Sequence, residues 1–321
     1  MRKTRLSISK AVQAIALVAV LVVTGGSAQA EWTAYNDCVF DSTVPTGTDP
    51  NGQTVHYTGS NVTTFGVGNV TADYGGTAET AGQPYTNNSG ALVNQSDGSA
   101  TGATLTVSQN VAVPVIWQPQ VAVTWTGGYD TAVGTDARNT FGGIADMTGV
   151  SFYGSTSAWF VDYTVTGLDP NEKYTFVCSA SRAKENTDGA PGYFDRITDY
   201  TISDAVAFTN ASTAGTTVSG AGAVTTFVTG NNHTLGYVTR WTDIEPGADG
   251  DFTVRATPNP STDSGLGIKA YSCDVLLVQE QAADVLPPFT PTVPSLSSWG
   301  YGALLVVVFG IGAFTLRRYK V

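Results

Sequence analysis

Histidine, methionine and cysteine are nearly missing from this 321-residue chain, at two, two and three residues. The two histidines, His56 and His233, stand in no metal-ligand spacing such as H-E-x-x-H, so a histidine-based zinc hydrolase is not indicated. No G-x-S-x-G elbow occurs, which removes the usual mark of an α/β-hydrolase. Carboxylates are plentiful, but no pair is set apart by its context as the acid and base of a glycosidase. The chain therefore reads as non-catalytic, with a glycan-active enzyme as the minor alternative. Basic residues are also few: 15 Lys and Arg stand against 26 Asp and Glu. Seven of those basic residues sit close to the two ends, leaving eight against 26 between them, a net charge of −18. Such a body repels nucleic acid and anionic lipid. Helix-forming Leu, Glu and Lys are scarce, and no repeat of fixed period occurs, which argues against a solenoid or propeller.

What the chain does have is concentrated first at its ends. Arg2, Lys3, Arg5 and Lys10 open a basic start, and Ala11 to Val23 is an apolar run too short to span a bilayer comfortably. Ala28-Gln29-Ala30 supplies the small residues that signal peptidase takes, so residues 1–30 read as a secretory signal cleaved before Glu31. A second apolar segment runs from Gly300 to Leu316, covering roughly 26 Å as a helix, just short of a full hydrocarbon core. Arg317, Arg318 and Lys320 follow it at once. Positive charge stays cytoplasmic, so this reads as a transmembrane helix that leaves the body facing outward. Residues 281–292, with Pro287, Pro288 and Pro291, read as a semi-rigid linker. The domain plan is thus a signal at 1–30, an ectodomain at 31–280, the linker, and a tail at 293–321.

Immediately before the second span stands Val293-Pro294-Ser295-Leu296-Ser297-Ser298-Trp299-Gly300. Short motif, span and terminal basic cluster together resemble the C-terminal sorting signals of the PEP-CTERM type, and most closely the IPTL-CTERM variant. Val293, Pro294, Ser295 and Leu296 stand where that variant has Ile, Pro, Thr and Leu, and Trp299-Gly300 also matches. The resemblance covers about the last thirty residues. It implies an exosortase-type membrane protease as partner, a Gram-negative host that makes exopolysaccharide, and a route from inner-membrane-anchored precursor to cell surface or exterior.

Between the ends the chain is rich in aromatic and β-branched residues, with Gly, Thr, Ser and Asn at the breaks. Residues 159–165 alternate, Trp159, Val161, Tyr163 and Val165 on one face; Tyr174, Phe176 and Cys178 repeat the pattern, as do Phe252, Val254 and Ala256. Val275 to Val278 is a continuous apolar run suited to a more buried strand. Short strands spaced by turn signals predict an all-β sandwich or barrel. Asp169-Pro170-Asn171 predicts a turn whose corner Leu168 and Tyr174 pin, the tyrosine hydroxyl bonding nearby backbone. The Leu-x-Pro-x-x-x-Tyr spacing is similar to the tyrosine corner of fibronectin type III sandwiches. The longer order — Leu168-Asp169-Pro170, Tyr174, Ser181-Arg182, then Arg196-x-Thr198-x-Tyr200, Asp249-Gly250 and a last apolar strand — instead resembles galactose-binding-like jelly-roll modules. That resemblance holds from Trp159 to Gln279 and implies a jelly-roll β-sandwich whose motif residues are structural.

Two functions stay open. One is a structural protein of a polysaccharide-rich envelope; the other is a module that binds carbohydrate or exopolysaccharide. Sugar binding by sandwiches uses exposed aromatic faces with polar neighbours. The candidates are Trp241 with Arg240 and Asp243, Tyr193 with Phe194, and Trp125 with Tyr129 around a Gly-Gly turn; a core position is the plainer reading of Trp241. No cofactor is required, but Asp249 and Asp251 in their Gly-rich turn are candidate ligands of a structural Ca²⁺. All three cysteines, Cys38, Cys178 and Cys273, lie in the part expected to be oxidised. The expected bridge is Cys38–Cys273, which closes the longest loop, with Cys178 a buried thiol; three reduced cysteines are the alternative.

Overall fold

The computed structural model describes residues 32–39, 58–66, 88–110, 130–148, 159–181, 196–261 and 270–281, and the backbone of short strands at 47–48, 54–55, 69–70, 116–118 and 150–153. These residues all belong to one compact unit, residues 29–283. Two sheets pack face to face as a β-sandwich. The six-stranded sheet runs in the order β13 (Ala205–Asn210), β16 (Thr239–Pro246), β11 (Tyr174–Ser179), β19 (Val275–Glu280), β1 (Thr33–Asp37) and β4 (Val62–Thr63). The seven-stranded sheet runs β14 (Thr217–Ser219), β15 (Val224–Val228), β12 (Ile197–Ser203), β17 (Phe252–Pro258), β10 (Val161–Thr166), β7 (Ala100–Gln109) and β6 (Ser89–Val93). A small sheet joins β18 (Ala270–Tyr271), β9 (Val150–Tyr153), β8 (Ile116–Gln118) and β5 (Asn69–Val70), and β2 (Gly47–Thr48) pairs with β3 (Thr54–Val55).

The alternation read from the sequence is what builds the sandwich. In β10, Val161, Tyr163 and Val165 are buried while Asp162, Thr164 and Thr166 are half-exposed. β17 does the same with Phe252, Val254 and Ala256. Opposite them, Tyr174, Phe176 and Cys178 of β11 and Leu276 and Val278 of β19 fill the core from the other sheet. Phe176 meets Phe252 edge to face at 6.0 Å, an arrangement that adds to plain area burial.

β11 and β19 are buried on both faces, because the six-stranded sheet carries a second layer. The helix Asp136–Phe141 and the residues up to Met147 lay Ala137, Phe141 and Met147 on Tyr35, Val177, Val275 and Leu277. Six residues are too few to hold a helix alone. Thr135 caps its start and Gly236 O takes the Ala137 amide at 2.9 Å, so tertiary contacts fix it.

The predicted corner forms. The Tyr174 hydroxyl accepts from Asp169 N at 2.9 Å, and Leu168 N donates to Gly250 O at 3.0 Å. Gly250 takes a φ of +70°, and a Cβ there would run into the Leu168 carbonyl. Glycine is therefore demanded at this position by both backbone conformation and close approach.

The expected signal at 1–30 with its cleavage site Ala28, Ala30 and Glu31, the 281–292 linker beyond Gln281, the sorting motif Val293 to Gly300 and the tail Arg317, Arg318 and Lys320 lie outside the described residues. Among the described residues no helix is long and apolar enough to cross a membrane.

Candidate functional site

The residues named as a sugar platform do not converge. Adjacent strand residues point to opposite faces, and β16 obeys this rule. Trp241 faces inward, fully buried, 6.4 Å from the Phe176 ring, with its indole N–H donating to Gly222 O at 2.9 Å. Arg240 faces the covering layer and donates from Nη2 to Thr140 Oγ1 at 3.2 Å. Asp243 sits at a left-handed φ of 51°, where the pairing with β11 slips out of register. Trp241 is thus a core residue, which was the plainer reading of it, and it offers no exposed ring to a platform with Arg240 and Asp243. Tyr193, Phe194, Trp125 and Tyr129 lie outside the described residues.

No aromatic ring among the side chains described is exposed; the large exposed apolar residues are Val133, Val206, Val218 and Leu235. The open face of the seven-stranded sheet is lined by hydroxyls instead. Ser89 meets Thr106 at 2.7 Å and Thr164 meets Thr253 at 3.0 Å, in register across β6, β7, β10 and β17. Arg255 grips Asp162 with two hydrogen bonds of 2.6 and 2.7 Å and covers the Phe160 ring at 4.0 Å.

At the acidic turn, Gly250 N closes onto Gly247 O at 2.8 Å. Slight burial, then the charges of Asp249 and Asp204, raise the Asp251 carboxyl above its ordinary range. Gly250 accounts for the turn without a cation. Among the described residues no three His, Cys, Asp or Glu side chains are grouped so as to hold a metal. His233 bonds its neighbour Thr234 at 3.1 Å in a short helical turn, and His56 lies outside the described residues.

Among the described residues a dense polar cluster lies at the seam between the sheets, around residues 271–274. Thr198 and Tyr200, from β12, donate to Tyr271 O at 2.8 and 3.3 Å. Tyr163, from β10, donates to Cys273 O at 3.2 Å. Arg196 donates to the Tyr271 hydroxyl and lies 5.0 Å over its ring. From the other sheet, Ser181 N donates to Asp274 Oδ2 at 2.7 Å, Asp274 N to Ser179 O at 2.9 Å, and Cys38 N to Asp274 O at 2.8 Å. Desolvation, helped by nearby ionisable groups, lifts Tyr163 and Tyr200 well above the ordinary phenol range. Both phenols remain neutral donors across the physiological range. The Arg-x-Thr-x-Tyr run is therefore a clamp: side chains of the seven-stranded sheet hold the backbone that enters the last strand of the six-stranded one.

A disulfide lies inside this clamp and corrects the expected pairing. Cys178 bonds Cys273, with Cα atoms 5.7 Å apart, and Cys38 is the buried free thiol. The reason is strand order. β19 lies between β11 and β1, so Cys273, two residues before its start, has neighbours on both sides, and Cys38 stands past the end of β1. A longer closed loop constrains the unfolded chain more, but it cannot bring sulfur atoms together. Desolvation, then the Asp37 charge, pushes the Cys38 thiol well above the usual range, and Asn36 Nδ2 donates to its sulfur at 3.2 Å. That thiol is inert in its native place.

Sequence reasoning took Tyr271 only as the end of the run before the last strand, with no role of its own, and passed over Asp274 and Asp37. Asp37 ends β1, Tyr271 ends β18 and Asp274 directly precedes β19, and no spacing distinguishes any of them from an exposed residue. No family model matches the chain, and no curated protein and no solved structure does either.

Proposed function

We propose that this is an exported, exosortase-sorted cell-surface or extracellular-matrix protein with a non-catalytic structural role, whose body is a galactose-binding-like jelly roll. The observation that carries the structural role is the use made of its aromatic and polar residues. Trp32, Trp159 and Trp241 are all buried, and in the seam cluster Thr198, Tyr200, Tyr163 and Asp274 are spent on backbone of the chain itself while Arg196 is spent on the Tyr271 hydroxyl and ring. No nucleophile is paired with a base there, and no ring is offered to a sugar among the side chains described. The jelly-roll reading is supported by the pairing of the last strand, β19, with the first, β1. The buried cystine fits an oxidising compartment. The address rests on the two ends of the sequence.

The test is the tail. Replacing Pro294 and Leu296 by alanine in the producing host leaves the chain exported but held in the inner-membrane fraction, while the parent chain is released from it. Equal release of both, by fractionation and immunoblotting, overturns the sorting reading.

A further inference from the structure

Asp37 closes β1 on the side of the six-stranded sheet that lies under residues 130–148. It shares that face with Tyr35, two residues earlier, which packs against Phe141 at 6.2 Å. Asp37 is 1 % exposed. Its Oδ1 accepts from Val39 N at 2.9 Å, and its Oδ2 lies 2.6 Å from Thr58 Oγ1. The next amide, Gly59 N, donates to Ile144 O at 2.8 Å. Thr58 thus ties the Asp37 carboxyl to the segment that covers it.

Among the described residues no Lys, Arg or His pairs with Asp37. From the covering segment it faces Asp146, whose charge acts on it directly. The other charged groups of that segment are committed elsewhere: Arg138 to Asp130, and Asp136 to the Thr213 hydroxyl at 2.7 Å. The adjoining edge of β19 brings Asp274, and β1 itself brings Tyr35 and Cys38, both kept neutral by burial. Residues 58–66 bring no titratable side chain. An ionised carboxylate buried without a cation, beside a second carboxylate, is strongly disfavoured.

We propose that Asp37 is held as the neutral acid and acts as a proton-dependent latch that fastens residues 130–148 over the outer face of the six-stranded sheet. The neutral acid satisfies the site: its O–H can donate to the Thr58 hydroxyl, and 2.6 Å suits an O–H···O bond. Burial first, and then the Asp146 charge, push its pKa up to about 8 from the ordinary 3.8. When the cover opens and water reaches the group, it returns toward the ordinary value. Between the two values the closed form holds a proton that the open form has lost, so raising the pH favours opening, by at most about tenfold per pH unit. Below the window both forms are protonated and above it neither is, so the effect levels off at each side.

Hydrogen exchange of the full-length chain in mild detergent, from pH 5 to 8 and corrected for intrinsic rates, tests this. The reporters are the amides of Asn139, Gly142, Ile144 and Ala145, each bonded within the cover. Their protection is expected to fall with rising pH, by up to about tenfold per unit, while amides of β10 and β17 keep theirs. Asp37→Asn is expected to remove the slope, and Asp146→Asn to make it level off at lower pH. Cover protection independent of pH in the parent chain, or an unchanged slope in Asp37→Asn, overturns the latch. If Asp37→Asn does not fold, the parent profile and Asp146→Asn decide the matter.

Discussion

The outer face of the six-stranded sheet lies under residues 130–148, whereas the outer face of the seven-stranded sheet meets solvent. The inner faces of both are alike, packed with aromatic and β-branched residues. The outer faces follow different chemistry. On the covered side Tyr35, Val177 and Leu277 receive Phe141 and Met147, and β11 is buried at all six positions. On the open side Ser89, Thr106, Thr164 and Thr253 stand in register, and strict alternation is kept. A covered face permits a continuous apolar strand; an open one demands a polar residue at every second position. The contrast also locates the strength of the sandwich, since removing a side chain costs most where nothing can relax or hydrate the gap.

Substitutions on the two faces sharpen that contrast. Phe141→Ala empties the joint between cover and sheet and is expected to destabilise the chain by about 3–5 kcal/mol, seen as a large fall in the chemical unfolding midpoint. A loss below about 1 kcal/mol would mean that the cover adds little to the folded state. On the open face, Thr164→Ala removes one cross-strand hydroxyl contact, and its expected effect is within about 0.5 kcal/mol. A loss as large as that of Phe141→Ala would show that the hydroxyl-lined face is itself covered in the working protein.

How much of this could be read from the sequence follows the same division. The alternating strands of the open sheet, β10 and β17, were legible, because period two is a direct print of one wet face. The Tyr174 corner was legible because the Leu168 to Tyr174 spacing and the Asp169-Pro170-Asn171 turn are local. The covering helix was not: Asp136 to Phe141 lies in a Gly- and Thr-rich stretch and is fixed by contacts with Gly236 and the sheet. In β16 the core position of Trp241 was the plainer reading because large aromatics are usually buried, whereas the contact of Arg240 with Thr140 of the covering layer left no mark in the sequence. The disulfide escaped for a third reason. Its partner choice depends on β19 lying between β1 and β11, an order set by long-range pairing.

The clamp at residues 271–274 joins the two sheets and holds the Cys178–Cys273 cystine, a bond that the proposed export to an oxidising compartment would let form and persist. Non-reducing peptide mapping of the chain taken from the envelope fraction of its host tests this most directly. The predicted result is a Cys178–Cys273 crosslinked peptide, with Cys38 alkylated only after denaturation. A Cys38–Cys273 crosslink, or three cysteines that all alkylate without reduction, would contradict it.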